Sequence, residues 1–173
     1  MNRHLVSLAA VLAFTTCAPS QSSAPVELKH FALDSLDGVR AVTGVAFDPQ
    51  ISVDGKGSLR IDTQKPMTIP LFEVTDVSID NAALIYQASV QSEKLDGQAF
   101  LEMWVRIPGK GEFFSRGLDR PITGTASWMT VATPFLLQAG QKPDLIRLNL
   151  VVQGKGRVWI DDIHLSRVPL TTR

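Results

Sequence analysis

From Val26 onward, short apolar runs alternate with clusters of Gly, Pro, Asp and Asn, and the runs repeat every two residues rather than every 3.6. This pattern predicts strands at 26–32, 42–47, 58–63, 68–74, 82–91, 99–107, 127–135, 145–152 and 157–165. Turn signals separate them: Asp54-Gly55, Asp80-Asn81, Asp96-Gly97, Pro108-Gly109 and Gly154 to Gly156. No window of helical length carries an apolar stripe. The expectation is an all-β chain, a jelly-roll β-sandwich of about eight or nine antiparallel strands.

Alternation also sorts side chains between faces. In 99–107, Leu101, Met103, Val105 and Ile107 form an apolar face, leaving Phe100, Glu102, Trp104 and Arg106 on the other. In 145–152, Ile146, Leu148, Leu150 and Val152 point inward, with Arg147, Asn149 and Val151 outward. In 82–91 the inward set is Leu84, Tyr86, Ala88 and Val90, with Gln87, Ser89 and Gln91 outward. If these three strands share a sheet, their outer faces make a shelf of amides, one carboxylate, guanidinium groups and one indole. That chemistry suits a sugar, whose C–H face stacks on an aromatic ring while planar polar groups meet its hydroxyls. The ligand-binding set is therefore Trp104, Glu102, Arg106, Gln87, Arg147, Asn149 and Arg116. Arg116 comes from Phe113 to Arg120, read either as a specificity loop over the shelf or as a hairpin edge laced with ion pairs. The alternative for the whole shelf is a solvated sheet in which Glu102 pairs with Arg106 or Arg147. Trp128 and Trp159 are expected in the core, Trp159 sharing a face with Asp161, Ile163 and Leu165.

The last apolar run holds two adjacent acids, Asp161 and Asp162. Alternation sends them to opposite faces, so at least one should point inward and need a metal, an arginine or backbone amides as partner. The same strand offers a second possibility. Asp162 and His164 share a face, and pairing of the first and last strands would bring His30 near His164, a set suited to zinc. The plainer reading leaves these histidines structural or exposed.

The chain has 173 residues, with 17 basic and 17 acidic side chains and no run of Lys or Arg, which excludes a nucleic-acid footprint. Residues 1–17 read as an export signal: Arg3, then an apolar stretch from Leu5 to Phe14 too short to span a bilayer, then small polar residues. The single cysteine, Cys17, stands where bacterial lipoproteins are lipidated, although Phe14 and Thr16 depart from the usual cleavage motif. The alternative is an ordinary secretory signal. Residues 18–25 read as a flexible tether, 26–168 as the β-sandwich and 169–173 as a tail. Without its first sixteen residues the chain carries 16 basic and 17 acidic side chains. The expected location is the periplasm or cell envelope, as a lipoprotein, or secretion, with no membrane contact beyond the lipid.

Several short motifs resemble the jelly-roll modules of the galactose-binding-like superfamily, which includes many carbohydrate-binding modules of secreted enzymes. They are the opening turn Phe31 to Gly38, the Gly55-Lys56-Gly57-Ser58-Leu59 strand, the strand led by Trp128, and the closing Asp161-Asp162-Ile163. The chain departs from the family's pattern in lacking a Phe-Glu pair at Phe31-Ala32 and a dense set of loop aromatics. The resemblance implies a non-catalytic module and a structural calcium where the first and last strands meet, with Asp34 or Asp37 and Asp161 or Asp162 among its oxygen ligands. Against this, Asp162 could lie outside and Asp161 accept hydrogen bonds from a turn.

The sequence-level expectation is thus an exported module binding a carbohydrate or similar polar ligand. A structural module docking another envelope protein is the alternative. A third reading, a small jelly-roll glycoside hydrolase or lyase, would pair Glu102 with a distant acid such as Glu112 or Asp119. No Gly-x-Ser-x-Gly, phosphate-binding glycine loop or His-Glu-x-x-His occurs.

Overall fold

The computed structural model describes residues 24–170; the export signal, Cys17, most of the tether and the last three residues lie outside the described residues. Eight antiparallel strands form the domain: β1 (Val26–Phe31), β2 (Val45–Asp48), β3 (Ser58–Thr63), β4 (Met67–Thr75), β5 (Ala82–Ile107), β6 (Gly111–Arg116), β7 (Ile122–Leu137) and β8 (Leu145–Pro169). There is no helix among them. The all-β jelly-roll expectation holds.

Four of the predicted strands fuse into two. Strands expected at 82–91 and 99–107 are the halves of β5, and those at 145–152 and 157–165 are the halves of β8. The two long strands pair antiparallel from Ala82↔Pro169 to Arg106↔Leu145. At roughly 3.3 Å per residue, 26 residues of straight strand would far exceed the width of a domain this size. The ribbon instead folds over near its middle, where the register shifts between Glu93 and Asp96 and Gly97, Gly154 and Gly156 take positive φ. Gly97 faces Gly154 there, and a Cβ on either would lie within 2 Å of the opposing backbone oxygen. Asp96-Gly97 and Gly154 to Gly156, expected as turns, are the two sides of a fold in a continuous ribbon. Glycine is required because two backbones touch, not because the chain reverses.

The fold creates two layers. In the first, β7 flanks the N-terminal half of β5, which pairs with the C-terminal half of β8; β1 and β3 lie end to end along the far side of β8, and β2 continues from β3. In the second, the order is β6, the C-terminal half of β5, the N-terminal half of β8, and β4. Leu84, Tyr86, Ala88 and Val90 from one half of β5 and Leu101, Met103, Val105 and Ile107 from the other fill a single core with Ile146, Leu148, Leu150 and Val152. The expected inward sets are all buried. The Tyr86 hydroxyl is the one fully buried side-chain polar atom among the described residues that lacks a hydrogen-bond partner.

One irregularity redirects the end of β8. Gln87 faces His164 and Ser89 faces Asp161, so Asp162 and Ile163 lie opposite Ala88 alone. Asp162 takes φ +51, giving a β-bulge at this point. Before it Val158 and Ile160 point into the core; after it Ile163 and Leu165 do. The bulge corrects the expected facing of Trp159, which lies on the outer side of the first layer and not with Ile163 and Leu165. Its ring is buried beneath neighbouring groups, and its Nε1 donates to Asp48 Oδ2 at 3.0 Å. Trp159 is buried as expected, but Trp128 is only half-buried on β7 and lies outside the core, a second correction.

Candidate functional site

The outer side of the second layer is built by register. Arg116, Glu102 and Asn149 make one row across β6, β5 and β8, and Phe114, Trp104, Arg147 and Glu73 the next, reaching β4. Each row is a set of cross-strand neighbours, the spacing at which side chains in sheets interact. Glu102 is the hub. Its Oε1 accepts from Trp104 Nε1 at 2.8 Å and Asn149 Nδ2 at 3.1 Å, and its Oε2 from Arg116 Nε at 2.7 Å. Burial pushes the Glu102 carboxyl up, but the hydrogen bonds from Arg116, Trp104 and Asn149 outweigh it and hold the group below its ordinary range. A carboxylate with its lone pairs filled this way orients its neighbours. It is poorly suited to giving or taking a proton.

The indole is the main beneficiary. Its N–H edge is fixed by Glu102, and its ring meets Phe114 at 5.0 Å and 42°. Phe114 is 51% exposed, and the Arg116 guanidinium lies 4.6 Å over its ring. The result is a shallow aromatic corner, part apolar and part cationic, on an open sheet face. Around it Arg147 pairs with Glu112 and stands 3.9 Å from Glu73, while Arg106 binds Asp144 through two hydrogen bonds.

Six of the seven residues expected on the shelf, Trp104, Glu102, Arg106, Arg147, Asn149 and Arg116, lie on this layer. Gln87 does not. It faces Ala132 and His164 on the first layer, because the ribbon fold separates the halves of β5. The expected Glu102–Arg106 and Glu102–Arg147 pairs are replaced by Glu102–Arg116, since Arg116 is its direct cross-strand neighbour and the other two arginines find Asp144 and Glu112. Arg116 belongs to an edge strand of a hairpin, tied to β7 by Thr133 Oγ1 donating to Ser115 Oγ at 3.0 Å. Phe114 belongs to the Phe113 to Arg120 segment and Glu112 is the distant acid weighed for Glu102, but here they serve as aromatic neighbour and arginine partner; Glu73 and Asp144 carry no local signal. A tight hairpin at Pro108-Gly109 sets Phe114 opposite Trp104.

The three carboxylates expected to share a calcium do not converge. Asp34 faces the Lys56 ammonium at 3.7 Å. Asp161 is 1% exposed and accepts from the amides of Val53 and its neighbour Asp162, each at 2.8 Å. Burial holds its carboxyl above the ordinary range against those two hydrogen bonds. Asp162 points elsewhere, to His30 Nε2 at 2.8 Å and His164 Nε2 at 3.1 Å. Asp34, Asp161 and Asp162 form no oxygen cage, because each turns to partners of its own: an ammonium, backbone amides and imidazoles. The second possibility read from the strand does assemble, since His30 and His164 are direct partners across β1 and β8.

Solved structures of similar fold include carbohydrate-binding modules. A family 16 carbohydrate-binding module superposes with a TM-score of 0.57 at 14% identity, covering 75% of this chain and 91% of its own. The CBM22-1 xylan-binding domain of Paenibacillus barcinonensis Xyn10C gives 0.59 at 17%, covering 86% and 98%. The Stig cyclase Fisc from Fischerella sp. TAU gives 0.54 at 13%, covering 88% and 93%. At these identities the likeness is one of fold, and the same fold serves binding modules and a cyclase. No protein-family profile matches the chain, and no curated protein matches it by sequence.

Proposed function

We propose that the protein is a non-catalytic module that binds a carbohydrate or a similar polar, ring-shaped ligand on the outer face of the second layer. The observation that supports this most is the corner formed by Trp104 and Phe114, with the indole edge held by Glu102 and the phenyl ring flanked by Arg116. Two tilted aromatic faces give a sugar's C–H surface a place to stack, and the cross-strand guanidinium and amide groups offer donors around it. The structural neighbours that are named carbohydrate-binding modules support the reading at the level of fold. Read with residues 1–17 as an export signal, binding takes place outside the cytoplasm, with Cys17 as the proposed lipid anchor. A Cys17→Ser chain that still fractionates with membranes would remove the anchor from the proposal.

The test is retention of the purified protein on a panel of immobilised and soluble glycans, with Trp104→Ala and Phe114→Ala alongside and folding checked by circular dichroism. Selective retention lost in Trp104→Ala and weakened in Phe114→Ala supports the reading. Absence of retention for the unaltered protein rejects it.

A second reading, docking of another envelope protein, has its own observation. Phe113, Phe114 and Leu136 are exposed around a cavity of about 400 Å³ beside the edge strand β6. Capture of an envelope partner that Phe113→Ser abolishes, with glycan retention absent, would favour it.

A further inference from the structure

We infer that His30, Asp162 and His164 form a binding site for a divalent transition-metal ion of the zinc type on the outer face of the first layer. The three ligand atoms, two imidazole nitrogens and one carboxylate oxygen, lie within 4.8 Å of one another. Both nitrogens are Nε2, and both face the same oxygen, Asp162 Oδ1, at 2.8 and 3.1 Å. Tetrahedral zinc with Zn–N near 2.0–2.1 Å sets its nitrogens about 3.3 Å apart, so the parallel rings would tilt toward one ion as it binds. Neutral imidazole with carboxylate is a ligand set of intermediate softness, suited to zinc and its neighbours rather than to calcium.

Three features arrange this convergence. The pairing of β1 with β8 makes His30 and His164 cross-strand partners, and their rings stack in parallel with centroids 4.3 Å apart. The bulge at Asp162, with φ +51, shifts the alternation after Ile160 so that Asp162 and His164, which share a face, turn to the outer side and not into the core. Bulges beside functional sites re-aim side chains in this way. Glu27, on β1, accepts from His164 Nδ1 at 2.6 Å. A Glu27 carboxylate accepts from Nδ1–H, and a metal would take Nε2 in place of the contact that Nε2 makes with Asp162 Oδ1. An outer carboxylate orienting a ligand imidazole is a recurring arrangement at metal sites.

Charge points the same way. Among the described residues, neither Asp162 nor Glu27 has a lysine or arginine within ion-pair distance; their partners are imidazoles alone. One divalent ion would serve both nitrogens and the carboxylate together. The side chains are 42%, 44% and 28% exposed for His30, Asp162 and His164, so water can complete the coordination. A cavity of about 330 Å³ adjoins His164, lined by Glu27, Ile85, Gln87 and Ser166. With β1 at an edge and held to β8 through this cluster, the ion fastens the first strand to the last.

The test titrates the metal-stripped protein with zinc by calorimetry, uses cobalt absorption as a spectroscopic report of nitrogen ligation, and follows melting temperature with and without zinc. The expected result is one zinc per chain, a rise in melting temperature, and a cobalt spectrum showing nitrogen donors. The double variant His30→Gln/His164→Gln should lose all three while keeping the far-UV spectrum and metal-free melting temperature of the unaltered protein. Glu27→Gln should weaken zinc about 10-fold, as removal of an outer partner does elsewhere. Zinc uptake equal in the double variant, absence of uptake by the unaltered protein, or calcium binding at the same residues in zinc's place would each overturn the assignment. Glycan retention is read separately, because Trp104 lies on the other layer.

Discussion

Two clusters of carboxylates, one on each outer face of this sandwich, meet different bases. On the second layer each meets a guanidinium: Glu102 with Arg116, Glu112 and Glu73 with Arg147, and Asp144 with Arg106. On the first layer Asp48, Asp62 and Glu93 likewise meet Arg60 and Arg157, but where β1 joins β8 Asp162 and Glu27 meet imidazoles only. A permanent cation leaves a carboxylate content, so the second face is an electrostatically closed framework that presents the ring of Trp104. Imidazoles leave the charge open to a proton or a metal. The same residue class thus serves as scaffold in one cluster and as proposed ligand in the other, decided by which base stands across the strand.

That contrast depends on the ribbon fold, which makes the largest expected effect a test of it. Gly97→Ala would place a Cβ 1.9 Å from the Gln153 carbonyl oxygen at φ +122, and should destabilise the protein by about 3 kcal/mol in urea unfolding. Zinc uptake and glycan retention should fall together, as both faces need the layers folded apart. Loss of one alone would mean that the faces do not share this dependence. Next is Glu102→Ala, which leaves the Trp104, Asn149 and Arg116 donors without their acceptor. The expected cost is about 2 kcal/mol, reduced from the fully buried case because Arg116 is part-exposed. Zinc affinity should be unchanged, and a change would show the two faces to be coupled.

Tyr86→Phe is the control that belongs to neither face. It removes an unpartnered buried hydroxyl and should stabilise the core by about 1 kcal/mol, seen as a higher melting temperature with both binding activities intact.

The smallest effect expected is in acid. Glu102 has its folded pKa held below the ordinary value, so its stabilisation is complete above that value and lost as pH falls through the depressed one. Asp161 is raised, so it takes a proton more readily folded than unfolded, and its contribution grows as pH falls. Glu102→Gln should therefore flatten the loss of stability below about pH 5, and Asp161→Asn should steepen it. Chemical denaturation across that range reads both slopes, and equal slopes in the two variants would refute the opposite signs.

Much of this was legible in the chain. Leu101, Met103, Val105 and Ile107 alternate without interruption, and burying them together requires a strand with its other side turned outward, so Glu102 and Trp104 had to share a face. Gln87 had the same local signature, yet lies on the other layer. Its distance from Trp104 was set by what happens at Gly97, where local sequence reads as a turn whether the chain reverses or two backbones press together. Asp162 is the sharper case. Alternation sets it on one face with His164, but only the bulge opposite Ala88 turns that face outward and not into the core. Glu27, 137 residues away from His164, carried no local mark of its role.

By itself, then, the sequence determined the two-residue period, the inward apolar sets, the all-β class and the identity of each donor and acceptor. These follow from side-chain size and polarity at neighbouring positions. Only the tertiary structure decided which residues from distant strands stand opposite one another, where the ribbon folds, and which base faces each carboxylate. Those depend on register and on one inserted residue, and a shift of a single position in a strand sends every later side chain to the opposite face.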